Sequence, residues 1–211
     1  MNETENTPKY LKHFTDLLSF IIIMETGGLR LSSTDGWEDK NDYAALAAYK
    51  RKTGAGEIRA LCFAQGKEQI HHWFYYAKKD SGCCIHFKDE ALLAALGGEP
   101  AFLRGSVSYM SSKDFTAAWL KQQPVEKWPF IKRRPYEAEQ EYRVIWTGDA
   151  GAEPPLIPVA GLIDYITLAP GLAGTPRGEA LKKMLETTYK LTVQFSRLLQ
   201  NDDWISRFNT L

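Results

Sequence analysis

The stretch Glu139–Thr147 reads EQEYRVIWT and has the composition of a β-strand, because Tyr, Val, Ile, Trp and Thr favour extended backbone. In a strand, side chains two positions apart leave the same face, so Glu139, Glu141 and Arg143 are predicted to lie together. Two carboxylates and a guanidinium on one face can hold a substrate hydroxyl and stabilise a developing positive charge. The alternative is a solvated strand face that carries weak surface ion pairs.

Further strands and helices are predicted on both sides of this stretch. Short apolar runs predict strands near residues 29–32, 58–63, 83–87, 107–110, 156–159 and 165–168. Helical spacing predicts helices over 15–24, 43–52, 69–79, 89–96 and 114–122, and a long closing helix over 178–200. Because the strands are scattered among the helices without a regular βαβ rhythm, the sequence predicts an α+β fold with a mixed sheet.

Length and composition predict one domain over residues 9–211, behind a flexible segment, 1–8. The chain contains 26 basic and 26 acidic residues, so nucleic-acid binding would need a local patch of charge. Three cysteines are too few for a disulfide framework, and the longest apolar run, 17–24, is too short to span a bilayer. We therefore expect a cytoplasmic protein without a membrane anchor.

A histidine and an aromatic block are candidates for ligand contacts. His13 stands where a predicted first strand meets the following helix, and it can bond a ribose hydroxyl or act as an acid or base. A lone histidine is more often a local hydrogen-bond partner. Tyr75 and Tyr76 end the aromatic block 71–76, whose flat rings can stack on a nicotinamide or a base, although other rings of the block are expected to fill the core.

A basic run directly precedes the glutamates. Lys132, Arg133 and Arg134 can meet a pyrophosphate or a nucleic-acid backbone if they lie beside the site, and otherwise form an ordinary solvated loop. The sequence has neither the glycine-rich fingerprint of a Rossmann dinucleotide site nor a P-loop. The acidic loop 38–42 lacks the spacing of an EF-hand, and no metal site is predicted.

Several segments together resemble one widespread bacterial family of unknown function, over about residues 9–171. In chain order the segments are Lys9-Tyr10, Gly28–Ser32, Asn41-Asp42, Leu61-Cys62-Phe63, Trp73–Ala77, Gly82–Phe87, Lys132, Glu139-x-Glu141-x-Arg143 and Ile166–Gly171. Members of that family are similar, more remotely, to the ADP-ribosyltransferase superfamily. The resemblance implies a split mixed or antiparallel sheet with flanking helices, which holds NAD in its cleft.

The resemblance also implies roles for individual residues. In the superfamily a first-strand histidine contacts NAD and an aromatic residue follows, which by position are His13 and Tyr75 or Tyr76. A late-strand glutamate is catalytic. Glu141 is expected to stabilise the oxocarbenium-like ribose, and Glu139 to orient or deprotonate the acceptor.

By the same resemblance, the expected activity is NAD-dependent ADP-ribosyl transfer by a bacterial toxin or phage-defence effector. Arg143 would hold the glutamate pair or a phosphate of NAD. The acceptor would be protein, RNA or DNA, and the closing helix would bind an antitoxin or a chaperone.

Two other functions are compatible with the same residues. One is a non-enzymatic module that binds a nucleotide or a partner protein, in which the glutamates serve only the fold. The other is a metal-dependent nuclease whose oxygen ligands are Asp39, Asp42, Glu139 and Glu141.

Overall fold

A computed structural model describes residues 11–97 and 102–210, so the predicted flexible segment 1–8 lies outside the described residues. Within the described part of the chain the structure is α+β, as the sequence predicts, and its sheets contain both parallel and antiparallel strands. The chain divides into two compact units. The first unit takes its described residues from 11–27, 66–89 and 159–210, and the second from 28–65, 90–97 and 102–158.

The elements of both units follow in chain order. The strands are β1 (Lys12–Asp16), β2 (Gly28–Leu29), β3 (Ser32–Ser33), β4 (Glu57–Ala64), β5 (Gly82–Phe87), β6 (Phe102–Ser106), β7 (Ser108–Met110), β8 (Ile131–Arg133), β9 (Glu141–Gly148), β10 (Ile157–Pro158), β11 (Ile163–Leu168) and β12 (Thr192–Phe195). The α-helices are α1 (Leu17–Thr26), α2 (Lys40–Thr53), α3 (Asp89–Ala95), α4 (Ala117–Lys121), α5 (Pro176–Tyr189) and α6 (Asp202–Asn209). Short 3₁₀ helices cover Lys79–Ser81, Val125–Phe130, Arg134–Glu139 and Pro170–Leu172, and a π-helical turn covers His72–Tyr76.

The first unit is built on a mixed sheet. Strand β5 pairs antiparallel with both β1 and β11, and β12 joins β11 in parallel. Every residue of β5 is buried, which explains its nearly continuous apolar sequence. Helix α1 follows β1 directly, and Asp16 caps it by accepting the backbone N–H of Ser19 at 2.9 Å. The helix predicted over 15–24 therefore begins two residues later, because Thr15 still lies in β1 and pairs with Cys83.

The predicted closing helix over 178–200 is correct up to Tyr189 and wrong beyond it. Helix α5 ends at Tyr189, because Lys190 adopts the left-handed conformation, with φ 56°. The residues after it form β12, since Val193 is buried and the strand completes its hydrogen bonds on β11. A separate helix, α6, follows and leaves the large apolar side chains of Trp204 and Phe208 exposed. Among the described residues, no helix combines the length and apolar content that crossing a membrane requires.

The second unit is built around strand β9. This strand lies between β4 and β6, antiparallel to both, and β3 extends the sheet on the other edge of β4. Two small ladders join β2 to β10 and β7 to β8. One face of the sheet packs on α2 through the buried side chains of Leu46, Tyr49, Ile58, Phe130 and Ile145. Helix α2 begins after the cap residue Asp39, three residues earlier than predicted, and this start places Asp42 in its first turn.

Candidate functional site

The two glutamates reach one cluster by different backbone routes. The sequence predicts a continuous strand from Glu139, whereas β9 begins at Glu141 and Glu139 ends a 3₁₀ turn. Gln140, between them, has the left-handed conformation with φ 44°, so strand alternation does not connect the two carboxylates. Alternation does hold from Glu141 to Arg143, whose side chains meet on one face of β9.

Arg143 is the centre of the cluster and is completely buried. Its guanidinium donates two hydrogen bonds to Glu141, from Nε to Oε1 at 2.6 Å and from Nη2 to Oε2 at 2.8 Å. Nη2 also donates to Oδ2 of Asp42 at 3.0 Å, and Nη1 donates to the carbonyl oxygen of Pro129 at 2.7 Å. The ring of Trp37 lies 5.3 Å from the guanidinium carbon. The solvated strand face considered from the sequence is therefore wrong, because this pair is fixed inside the unit.

Lys132 joins all three carboxylates of the cluster. Its Nζ lies 2.6 Å from Oε2 of Glu139, 3.2 Å from Oε2 of Glu141 and 3.2 Å from Oδ2 of Asp42. Three carboxylates thus face two cations, and the cluster carries one formal negative charge when all five groups are ionised. Lys132 lies on β8, directly before the 3₁₀ segment that ends at Glu139, and this position explains how it reaches the carboxylate of Glu139.

Burial and charge act against each other in this cluster. Burial disfavours the ionised form of Glu141, but Arg143 and Lys132 outweigh it and lower the pKa of Glu141 to about 2. Burial likewise disfavours charged Lys132, but Glu141 and Asp42 outweigh it and raise the pKa of Lys132 above its ordinary value. Both groups are therefore ionised at neutral pH.

Sequence reasoning missed three residues that complete the cluster. Cys62 on β4 donates a hydrogen bond from its thiol to Glu141, and burial raises the pKa of that thiol well above its ordinary value. The hydroxyl oxygen of Tyr109 accepts the backbone N–H of Glu141 at 2.8 Å, and burial raises the pKa of Tyr109 to about 12. Asp42 had been considered only as a metal ligand. The signal that could have placed Cys62 in the cluster is the pairing of β4 with β9, which sets this cysteine opposite Arg143.

The remaining candidates lie elsewhere in the chain. Arg133 and Arg134 belong to the second unit, next to Lys132, and both are exposed. His13 belongs to the first unit, where it is half-buried on β1 opposite Ile85. Tyr75 and Tyr76 belong to the first unit as well. The structure therefore brings Glu139, Glu141, Arg143 and Lys132 together within one unit, and the other five residues are not part of their cluster.

Tyr75 and Tyr76 lie on a helix that is shorter than the predicted 69–79. Residues 70–76 are helical, with a π-turn over His72–Tyr76, and Ala77 after them is buried close to Gly82 of β5. A Cβ atom on Gly82 would lie 1.8 Å from the carbonyl oxygen of Ala77, so glycine is required for this approach. The turn buries Trp73 and leaves Tyr75 80% exposed. Tyr75 is thus available for a flat ligand, and π-helical turns occur frequently at functional sites.

Three acidic side chains of the second unit are arranged around two cations. Within the described residues, no three or more His, Cys, Asp or Glu side chains are placed so that they could hold a metal ion. Glu139, Glu141 and Asp42 instead direct oxygens to Lys132 and Arg143. A nuclease that used these oxygens as metal ligands would first have to displace both cations.

The acid stability of the protein should depend on Glu141. Its folded pKa of about 2 lies below the ordinary 4.5, so the ionised group stabilises the fold fully above pH 4.5 and loses this contribution as pH falls toward 2. The shift corresponds to about 3 kcal/mol. We expect Glu141→Gln to flatten the fall in the free energy of unfolding across this pH range, measured by urea unfolding. An unchanged slope in the variant would contradict the lowered pKa.

Comparison with known proteins identifies no relative of the chain. No protein-family model, no curated protein and no solved structure matches the chain.

Proposed function

We propose that the chain is an NAD-dependent ADP-ribosyltransferase, a bacterial toxin or phage-defence effector that modifies a nucleic-acid or protein acceptor. One observation carries the proposal: two glutamates are held beside each other by Lys132 and Arg143 at the start of β9. Departure of nicotinamide leaves a positive charge on the ribose, and an ionised carboxylate stabilises that charge. As part of the same proposal, we infer that the protein has the split sheet of the ADP-ribosyltransferase superfamily.

The reaction exchanges one bond at C1′ of the ribose attached to nicotinamide. The bond from C1′ to the nicotinamide nitrogen breaks, and its electron pair leaves with nicotinamide. A nucleophilic atom of the acceptor forms the new bond at C1′ and gives its proton to a carboxylate or to water. The site therefore needs one carboxylate that the substrate can reach and a second that keeps the first in place.

We assign the substrate-facing role to Glu139 and the positioning role to Glu141, whereas the sequence led us to expect Glu141 beneath the ribose and Glu139 at the acceptor. The oxygens of Glu141 already accept two hydrogen bonds from Arg143, one from Lys132 and one from Cys62. A substrate hydroxyl would have to break one of them. The side chain of Glu139 is 14% exposed, against 7% for Glu141. Glu139 also lies outside β9, at the end of the 3₁₀ segment that precedes it.

The other predicted contacts stay predictions within this proposal. Arg133 and Arg134 are exposed and can meet a phosphate of NAD or of the acceptor. Tyr75 and Tyr76 are exposed rings suited to stacking, and His13 is the predicted ribose contact. Arg143 has no exposed surface, so its role in the proposal is to hold Glu141 and Asp42 rather than NAD.

Labelled NAD tests the proposal directly. Purified protein is incubated with NAD labelled in its adenylate part and with cell lysate, and both label transfer and nicotinamide release are followed. We expect label in macromolecules, and its removal by nuclease or protease identifies the acceptor class. EDTA should leave the reaction unchanged, whereas a metal-dependent nuclease would cleave nucleic acid only without the chelator.

The outcome also separates the enzyme from a binding module. Neither transfer nor nicotinamide release, together with NAD binding in a calorimeter, would favour the non-enzymatic module and overturn transferase activity. An antitoxin or chaperone stays a predicted partner of the toxin.

A further inference from the structure

A cavity of about 470 Å³ lies within the second unit, on the surface of α2. Ala44, Ala45 and Ala48 line it from one face of the helix, and their small side chains leave the space open. Asp42 and Lys132, two members of the buried cluster, line it as well. A molecule in this cavity would therefore contact Lys132, which pairs with both Glu139 and Glu141.

Two residues that line the cavity each carry a buried polar atom with unused hydrogen-bonding capacity. Asp42 is only 3% exposed, and its Oδ2 receives Arg143 and Lys132, but among the described residues its Oδ1 accepts no hydrogen bond. The indole Nε1 of Trp128 is likewise buried, and no described side chain or backbone group accepts its hydrogen. Leaving such groups unpaired costs free energy, which a ligand with its own donor and acceptor would recover.

The remaining lining favours a flat ring. Most of the cavity surface is apolar, and Phe115 contributes an aromatic side chain that is 44% exposed. Aromatic side chains stack on heterocyclic rings with little demand on their identity. A nucleobase matches these features, because its edge carries both N–H donors and ring or carbonyl acceptors.

The charges at the cavity distinguish a nucleobase from a cationic side chain of a protein. Lys132 and Arg133 line the cavity together with one carboxylate, Asp42, whose Oδ2 already pairs with Lys132 and Arg143, so an incoming lysine or arginine would meet a lining with a net positive charge. A phosphate group attached to a base would instead be attracted to Arg133. This arginine is exposed, and the described residues show no ion pair for it.

We propose that this cavity binds a base of a single-stranded nucleic acid, with an adjacent phosphate on Arg133. The base stacks on Phe115, and its edge donates an N–H hydrogen bond to Oδ1 of Asp42 and accepts one from Nε1 of Trp128 once these two side chains turn toward it. The nucleic acid is then the acceptor of ADP-ribose, and this role alone rests on the proposed function. The binding itself requires neither NAD nor catalysis.

Fluorescence anisotropy with labelled strands tests the binding in the absence of NAD. The probes are a twelve-residue single-stranded RNA and DNA of mixed sequence, and an abasic strand of the same length and charge. We expect the wild-type protein to bind the strands with bases roughly tenfold or more tightly than the abasic strand, because stacking and edge contacts are lost without the base. Equal affinities would show a surface contact with phosphates only and would overturn the proposal.

A cavity-filling variant provides the second arm. Ala48→Leu adds bulk inside the cavity, and Ala47→Leu adds the same bulk on the same helix at a residue that does not line it. We expect the affinity for strands with bases to fall roughly tenfold in Ala48→Leu and to be kept in Ala47→Leu. Thermal unfolding confirms that both variants are folded. Should Ala48→Leu misfold, Arg133→Ala replaces it, with a loss of affinity that includes the abasic strand.

The results also separate this proposal from the proposed function. Nicotinamide release from NAD without base-dependent strand binding would retain the enzyme and overturn the nucleobase site. Base-dependent binding without nicotinamide release would retain the site and overturn the enzyme. Label transfer to protein alone would show that the cavity does not hold the acceptor, and would overturn that role of the bound nucleic acid.

Discussion

Replacing Arg143 by methionine should lower the free energy of unfolding by about 3–5 kcal/mol. The substitution keeps much of the apolar stem but leaves Glu141 and Asp42 buried without the guanidinium that binds them both. Removing one partner of a buried ion pair is strongly destabilising, because the other partner cannot regain its hydration. Urea unfolding at pH 7 of the wild type and the variant measures the change.

Arg59→Met is the matched control for this prediction. Arg59 lies on the neighbouring strand β4 and pairs with Glu57 and Glu153, but its side chain is 21% exposed and water can replace both contacts. We expect this variant to lose at most about 1 kcal/mol. The double variant Arg143→Met with Glu141→Gln should recover part of the stability lost in Arg143→Met, because it removes the negative charge of Glu141 that the arginine no longer balances. A stability of Arg143→Met equal to that of the control would contradict the central role of the guanidinium.

Glu139→Gln should reduce the rate of nicotinamide release from NAD by roughly 10²–10⁴-fold while the protein stays folded. The amide keeps the size of the side chain and removes the negative charge that the proposed mechanism requires beside the ribose. The loss should appear mainly in kcat, because the charge acts on the transition state more than on bound NAD. Steady-state rates and thermal unfolding of the same preparations measure both properties.

Two variants show whether the effect belongs to Glu139. Glu137→Gln changes an exposed carboxylate of the same 3₁₀ turn and should keep wild-type activity. Glu141→Gln should lower activity and stability together, since Glu141 holds Arg143 and Lys132. Full activity in folded Glu139→Gln would remove this residue from the mechanism, and loss of activity in Glu141→Gln without any loss of stability would return the substrate-facing role to Glu141.

Local chemistry made several elements predictable from sequence. Gly54 ends α2 with φ 74°, a conformation that glycine adopts at no cost, and the helix predicted to end at residue 52 ends at Thr53. The apolar run 83–87 lies in β5, which is buried throughout. The prediction over 178–200 failed because apolar spacing alone does not distinguish a helix from a short strand that completes its hydrogen bonds on a distant partner.

The α+β class and the shared face of Glu141 and Arg143 can be read from the chain alone, because alternation along a strand depends only on local backbone geometry. What those side chains do depends on packing between distant parts of the chain. Asp42 is 101 positions away from Arg143 in the chain, yet Nη2 of the arginine lies 3.0 Å from its oxygen. No local pattern encodes such a distance. Whether a charged side chain is solvated or buried and paired depends on the elements that pack over it.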